Sequence, residues 1–329
     1  MTHHHPSQLP SPLSSSLDAA WIDRPHAGWV RMEGADRLDL LQRLTTNDLT
    51  PLREGKGLQT VLLTEKARII DVLTVLEFGT HTMLITSMQP PTPVISWLKK
   101  YIIMDDVRLR DASSAVHMLE VMGPRSSEAV HQLTGVGVAE LAGCAKTDWI
   151  QHGEITVVRM PSSLEVSYWL IAAPEHLAPL REVLINAADH IPQLTTEQDT
   201  TLRVRSGMGA IGHEWTEAYN PLEAGLLHLT NFAKGCYIGQ EVVARLDSYN
   251  KVKQRVMGFS ADTPIAEGDA ILAADAIVGV LTTVVAVGGT WKALGYIRGE
   301  HATAGATIHI QHDDRSPIPA TIHQLPFEA

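Results

Sequence analysis

Cysteine is scarce in this chain: Cys144 and Cys236 are the two among 329 residues. Two thiols do not make a disulfide scaffold, and without a CxxC pair they do not cradle a zinc ion or an iron–sulfur cluster by themselves. Positive charge is short as well. The 26 Lys and Arg stand against 37 Asp and Glu, a formal net charge of −11, which argues against holding nucleic acid by bulk electrostatics. Long apolar runs are missing too. The longest uncharged apolar stretch, residues 276–289, has fourteen residues, three of them Gly, and is rich in Val and Thr. That is strand chemistry, and a membrane span needs about 20 apolar residues. The N-terminus lacks the basic start and apolar core of a signal peptide. It reads MTHHHPSQLPSPLSSS, and residues 1–17 are expected to form a mobile Ser/Pro-rich tail with incidental histidines. GxGxxG and P-loop sequences are also missing, and no sustained βαβα alternation supports a doubly wound sheet. These absences describe a cytoplasmic, reduced protein with no membrane partner and no direct nucleic-acid partner.

With 44% hydrophobic and 19% charged residues, the chain is ordinary for a globular protein, and its length suits two or three domains. Trp29–Met32 reads as a strand. Asp36 is placed to cap a helix with Leu38, Leu41 and Leu44 on one face, ended by Thr45-Thr46-Asn47-Asp48. Leu58–Leu63, Ile69–Phe78 and Met83–Thr86 suit an antiparallel meander, and Val94–Ile103 a helix. A second α+β segment follows: strand Val116–Met122, helix Ser126–Leu133, a hairpin of Glu154–Met160 with Glu165–Ala172, and helix Pro174–Ala188. From about Val252 short β-rich runs recur, which fits an antiparallel barrel or sandwich over 252–329.

The segment densest in chemistry is Asn231–Arg245, NFAKGCYIGQEVVAR. Gly235 and Gly239 free the backbone on either side of Cys236, and Gln240–Arg245 can form a helix just after it. A helix N-terminus and the nearby Lys234 would both favour the thiolate. The plainer alternative is a small, inert packing residue. Cys144, in LAGCAK, has no comparable setting and reads as structural. His213–Glu217, HEWTE, only superficially resembles a zinc-protease helix, because the second histidine is missing.

KGCYIGQE resembles the signature of the YgfZ family, folate-binding relatives of the glycine cleavage T-protein that include mitochondrial iron–sulfur assembly factors. AYNPLEAGLL (Ala218–Leu227), GADRLDLLQRLTTND and EGKGLQTVLLTEKARIIDVL extend the resemblance over about Trp21–Phe259. It implies an α+β fold: two α+β lobes over 18–251 and a C-terminal antiparallel β-barrel over 252–329, around a central hole that admits tetrahydrofolate. A flat pterin wants apolar or aromatic walls with a few aimed acceptors, and its anionic tail wants cations. Asp71, a lone charge in the apolar run RIIDVL, and Glu223 are candidate carboxylates; Arg68, Lys234, Arg245 and Lys251 are candidate cations. The resemblance thus gives Cys236 as the functional thiol and assigns cofactor binding to Asp71, Arg205, Glu223, Lys234, Gly235, Tyr237, Gly239, Gln240 and Arg245, with no resident metal.

The departures from the T-protein matter equally. T-proteins carry Asp-Asp where this chain has Asp71-Val72, and Glu where LRVRSG has Arg205; they lack the cysteine of KGCYIGQE. Arginine cannot accept hydrogen bonds from a pterin as a carboxylate does. The resemblance therefore implies a folate-binding accessory protein that helps assemble or repair iron–sulfur clusters in client enzymes, with an indirect effect on tRNA modification. Its partners would be assembly proteins and clients, with a transient cluster shared with a partner. The alternative is a tetrahydrofolate-dependent aminomethyl- or demethyl-transferase, for which Asp71 is the candidate acid/base. A third alternative is a folate-binding module with an inert Cys236.

Overall fold

The computed structural model describes residues 18–87, 90–162, 164–187, 190–248, 252–274, 276–313 and 316–327. The expected N-terminal tail and the candidate cation Lys251 lie outside them.

The chain enters through β1 (Ala20–Asp23) and then builds the first lobe. Its elements are β2 (Gly28–Glu33), α1 (Arg37–Leu44), β3 (Lys56–Leu63), β4 (Ile69–Glu77), β5 (Thr82–Thr86), α2 (Thr92–Lys99) and β6 (Arg108–Asp111). The second lobe adds β7 (His117–Met122), α3 (Ser126–Thr134), α4 (Val138–Gly143), β8 (Trp149–His152), β9 (Ile155–Ser162), β10 (Glu165–Ala172) and α5 (Pro174–Asn186). The antiparallel sheet orders are β3-β4-β5-β2-β6 and β1-β7-β10-β9-β8. The N-terminal strand thus crosses to the second lobe, where Trp21 pairs with Val121. No local pattern foretells a pairing over that separation.

The two sheets stack face to face, and the two-residue period of a strand divides their side chains between two cores. Met118, Val158 and Ile171 meet Trp29, Leu76 and Ile85 between the sheets. Their neighbours Leu119, Val157 and Leu170 pack outward on Val130, Leu141 and Leu177 of α3, α4 and α5. On the far side of the first sheet, Leu73, Val75 and Leu84 cover Leu40, Leu41 and Leu44 of α1 and Val94 and Leu98 of α2. Helices therefore clothe both outer faces. β4 is buried along both faces, which explains its near-continuous apolar run. Each such aliphatic side chain contributes about 1.5–3 kcal/mol by its burial. Gly57 lets the lobes touch: a Cβ there would stand 2.3 Å from the Thr147 carbonyl oxygen. Beside it the Thr147 hydroxyl donates to the Gly57 carbonyl at 2.7 Å and Lys56 pairs with Asp148.

Two helices connect the lobes to the last unit: α6 (Thr196–Arg205) and α7 (Gln240–Ser248). That unit is a closed antiparallel barrel of β11 (Gln254–Ala261), β12 (Ala270–Ala273), β13 (Ala276–Val287), β14 (Thr290–Arg298), β15 (Thr307–Gln311) and β16 (Ile318–His323). Phe259, Ile271, Leu281, Ile297, Ile310 and Ile322 fill it. The fold is the expected α+β arrangement with a C-terminal antiparallel barrel.

Two local expectations change. The Asp36 side chain makes no cap on α1; its carboxylate accepts the Asp106 N–H at 2.7 Å, tying the helix start to the segment before β6. Helix α2 stops at Lys99, short of Ile103. The Ile103 N–H is taken by the Asp105 carboxylate, and Ile103 and Met104 stand exposed. Among the described residues, no helix is long and apolar enough to cross a membrane.

Candidate functional site

Where the core between the sheets runs out, a cavity of about 760 Å³ opens. Ile85 and Met118 belong to both, so the wall of the cavity continues the packing that joins the lobes. The first lobe contributes Gln59, Val72, Thr74, Thr86 and Ser87. The second gives Ile22, the turn Asp23–Ala27 and Trp169. Beyond the lobes, residues 193–196, Asp199, residues 208–211 and Trp215 close the space.

Three ion-pair systems hold these walls. Arg24 donates from Nη1 and Nη2 to the two carboxylate oxygens of Asp199 on α6, at 2.5 and 2.8 Å, and from Nε to Glu120 of β7 at 2.7 Å. Burial works against the guanidinium charge, but Glu120 and Asp199 more than reverse that and hold its pKa above the ordinary value. Next to it, Arg181 forks onto Asp23 at 3.1 and 2.7 Å. The segment 208–215 hangs on Glu214, which is fully buried. Its carboxylate accepts from Arg203 Nη1 (2.8 Å), the Ala210 N–H (3.0 Å) and the hydroxyls of Thr282 and Thr283 (2.6 Å each). Tyr296 donates to the Glu214 carbonyl at 2.7 Å. HEWTE is therefore a joint between α6, the cavity and the barrel. Among the described residues no group of three or more His, Cys, Asp or Glu could hold a metal.

None of the site residues expected from sequence lines this cavity. Strand alternation puts Val72 and Thr74 in its wall and turns Asp71, with Leu73, to the opposite face. There Asp71 is buried, accepting the Val72 N–H at 2.7 Å and the Ser87 N–H at 3.3 Å. Burial raises its carboxyl to about 6 against these hydrogen bonds. Asp71 thus braces the cavity wall from behind. Arg205 ends α6, with its carbonyl accepting the Phe327 N–H at 3.0 Å. Glu223 is a local cap: it accepts the Asn220 N–H at 3.1 Å, while Asn220 Oδ1 accepts the Leu222 and Glu223 N–H groups. Burial raises its carboxyl, opposed by the Asn220 N–H and by Arg68, whose guanidinium is 3.6 Å away. Arg68 itself donates to the Ala218 carbonyl at 2.8 Å.

The remaining expected residues meet at a different place. Lys234 is buried, and its ammonium donates to the carbonyls of Thr45 (2.7 Å) and Asn47 (2.5 Å). Burial lowers its pKa to about 8, with Asp48 opposing. The lysine thus clamps the turn Thr45–Asp48, where Thr46 also receives the Asn231 N–H on its carbonyl and donates to the Leu229 carbonyl. Further on, the Ile238 N–H donates to the Arg43 carbonyl at 3.0 Å. Gly239, at φ +84°, lies against Thr64 and Ala67, where a Cβ would meet the Thr64 oxygen at 3.0 Å. Gly235 has open space around it, so no contact calls for glycine there. Tyr237 is buried with an unpartnered hydroxyl, and burial pushes it up to about 12. Gln240 opens α7 and its side-chain oxygen lies 3.4 Å from the Tyr237 nitrogen; Arg245, in the last turn, is exposed. Between these anchors Cys236 is exposed, ahead of the helix and not at its end. Cys144 is half-buried after α4, where burial pushes its thiol up.

Sequence reasoning missed Arg24, Asp199 and Trp169, and it met Glu214 only as part of the HEWTE stretch it set aside. One signal was available: Thr195 and Gln198 form a capping box that starts α6 and so places Asp199.

Comparison with known proteins agrees with this architecture. The model of the GCVT N-terminal domain matches residues 16–234, more than half of the chain. A putative chloroplastic transferase of Arabidopsis thaliana is 29% identical over 318 residues, covering 94% of this chain and 71% of that protein. An aminomethyltransferase of Chloroherpeton thalassium is 28% identical over 244 residues, covering 73% and 67%. The crystal structure of glycine cleavage system aminomethyltransferase T from Bartonella henselae superposes with a TM-score of 0.84 at 18% identity, over 95% of this chain and 87% of that one. These names stand nearer to the transferase alternative than to iron–sulfur assembly, and none of them speaks for the YgfZ branch.

Proposed function

We propose that this chain, which belongs to the GCVT N-terminal domain family, binds a reduced folate in the cavity between its lobes. The volume of about 760 Å³ falls among those usual for small-molecule sites, about 300–1,000 Å³. Val72, Ile85 and Trp169 offer apolar and aromatic wall for a flat ring, and Gln59, Thr74 and Ser87 offer polar groups at its edge. A reduced folate, when bound, supplies a carrier for a one-carbon unit. The chain's own residues bind it, orient it and keep water from its faces.

In this proposal the folate-loaded protein serves the assembly or repair of iron–sulfur clusters in client enzymes, with any effect on tRNA modification indirect. The observation that carries it is Cys236, an exposed thiol in a loop clamped at Lys234, Ile238 and Gly239, among residues apart from the cavity wall. Such a thiol is offered to another protein and not to a ligand in the cavity. One thiolate does not hold a cluster, so a partner supplies the remaining ligands. The test is a deletion strain complemented with Cys236→Ser. Loss of a cluster-dependent enzyme activity is expected; full restoration overturns the proposal.

The names of the relatives favour a second reading, a tetrahydrofolate-dependent aminomethyl- or demethyl-transferase. Against it stands Val72, an apolar side chain in the wall with the neighbouring carboxylate of Asp71 turned away. Formation of methylenetetrahydrofolate from an aminomethyl donor, at the same rate in wild type and Cys236→Ser, would favour this second reading over the first.

A further inference from the structure

Each five-stranded sheet ends in two edge strands, and three of the four edges meet other parts of the chain. Beside β1, the Trp21 N–H donates to the Pro192 carbonyl and the Leu194 N–H to the Trp21 carbonyl. Beside β3, the Thr46 N–H donates to the Val61 carbonyl, and at β8 the Gly55 carbonyl accepts the Trp149 N–H. Strand β6 differs. The Ala112 N–H donates to the Trp29 carbonyl at 2.8 Å, which with the register Arg31–Arg110 and Glu33–Arg108 fixes the phase of its ladder. Arg108 and Arg110 bond to β2, so the N–H and C=O groups of Leu109 and Asp111 point outward. Among the described residues, nothing hydrogen-bonds to them.

An open edge is a template for one more strand, and its side chains say which. Arg31, Glu33, Arg108 and Arg110 share one face, three cations against one acid in a chain of net charge −11. Arg31 stands directly opposite Arg110, a like-charge pair that is destabilising unless an anion joins it. Glu33 pairs with Arg31 at 2.9 Å. The exposed guanidinium groups of Arg108 and Arg110 have no hydrogen bond or ion pair among the described residues. The acids around β6 are engaged: Asp105 by Arg43, Asp106 by the Ala35 N–H and Asp111 by the Ser113 N–H. A second copy joined through β6 would set arginine beside arginine, and residues 1–17 of this chain contain no Asp or Glu.

We propose that β6 is a docking edge for an extended acidic segment of another protein, which joins the first sheet as a strand and sets alternate carboxylates beside Arg108 and Arg110. Backbone bonds to Leu109 and Asp111 hold the segment, and the arginines select its sequence. The proposal is independent of the folate reading and of Cys236.

Fluorescence anisotropy with the full chain and a labelled octapeptide of alternating Glu and Val tests this. With Glu beside the arginines, the valines stand opposite Leu109 and Asp111 and turn their N–H groups to β6. Wild type should bind this peptide at least about 10-fold more tightly than its Lys and Val counterpart, and than a version N-methylated at the valines. The double variant Arg108→Glu, Arg110→Glu should prefer the Lys peptide, a reversal that misfolding does not produce. Amide exchange at Leu109 and Asp111, followed by NMR, should slow at least about 10-fold with the Glu peptide, while Arg110, already bonded to β2, changes little. Equal affinity of wild type for the Glu and Lys peptides, or for the methylated and unmethylated forms, overturns the proposal even if the double variant fails to fold. Binding of a short single-stranded RNA in place of the Glu peptide assigns the patch to nucleic acid and overturns it. A wild-type dimer in sedimentation that Asp111→Pro dissolves gives the edge to a second copy and also overturns it.

Discussion

The cavity and the KGCYIGQE loop are built in opposite ways. The loop is one contiguous stretch, and its anchors fall on other contiguous stretches: Lys234 on Thr45 and Asn47, Ile238 on Arg43, Gly239 on Thr64 and Ala67. The cavity wall is assembled from single residues of both sheets, one turn, α6 and the segment before Trp215. A loop that must fit a fixed receptor constrains neighbours along the chain, so it leaves a motif. A wall made by strand alternation constrains every second residue of distant strands, so it leaves almost none.

The contrast can be broken experimentally. Glu214→Ala should have the largest effect, because it takes from the half-buried Arg203 its carboxylate partner and removes the acceptor of Ala210, Thr282 and Thr283. Loss of one member of a buried pair costs about 3–5 kcal/mol, read from denaturant midpoints, and the cavity segment should loosen while the loop keeps its anchors. Lys234→Met removes two hydrogen bonds from an ammonium to carbonyls and should cost about 2–3 kcal/mol. Folate affinity, measured by calorimetry, should stay unchanged, since Lys234 is not in the cavity wall.

Asp71→Asn should act through pH. The folded carboxyl is raised from 3.8 to about 6, so its favourable contribution is complete below about 3.8 and is lost as pH rises through about 6. Wild-type stability should therefore fall relative to Asp71→Asn between about pH 4 and 6, visible in urea titrations at several pH values. Equal slopes for the two proteins would refute the assignment. Cys236→Ser should have the smallest effect on stability, within about 0.5 kcal/mol as for an exposed side chain. A larger loss by thermal melting would make Cys236 a structural residue and sharpen the comparison toward one packed unit.

Much of the fold was legible. The meander of β3 to β5, the helices with their leucine faces and the β-rich C-terminal region all follow from periodicity and turn residues. The loop was legible as a special segment, but the task of Lys234 was not: proximity in sequence suggested a partner for the thiol, and burial gave it two carbonyls from α1's end. Asp71 stood out because a charge interrupts an apolar run. What could not be read was which face of β4 it occupies, because a strand covered on both sides has no polar face to set the phase.

Thus the amino-acid order alone determined the α+β class, the barrel-forming C-terminal region and the identity of the thiol-bearing loop, since propensity, period and turn chemistry act between near neighbours. Only the tertiary structure decided that β1 joins the second lobe, that Val72 and not Asp71 forms the cavity wall, and that Arg24, Glu120 and Asp199 meet there. Those pairings join residues up to 175 positions apart. They exist because burying two sheet faces against each other outweighs any local preference, and that balance is struck by the whole chain at once.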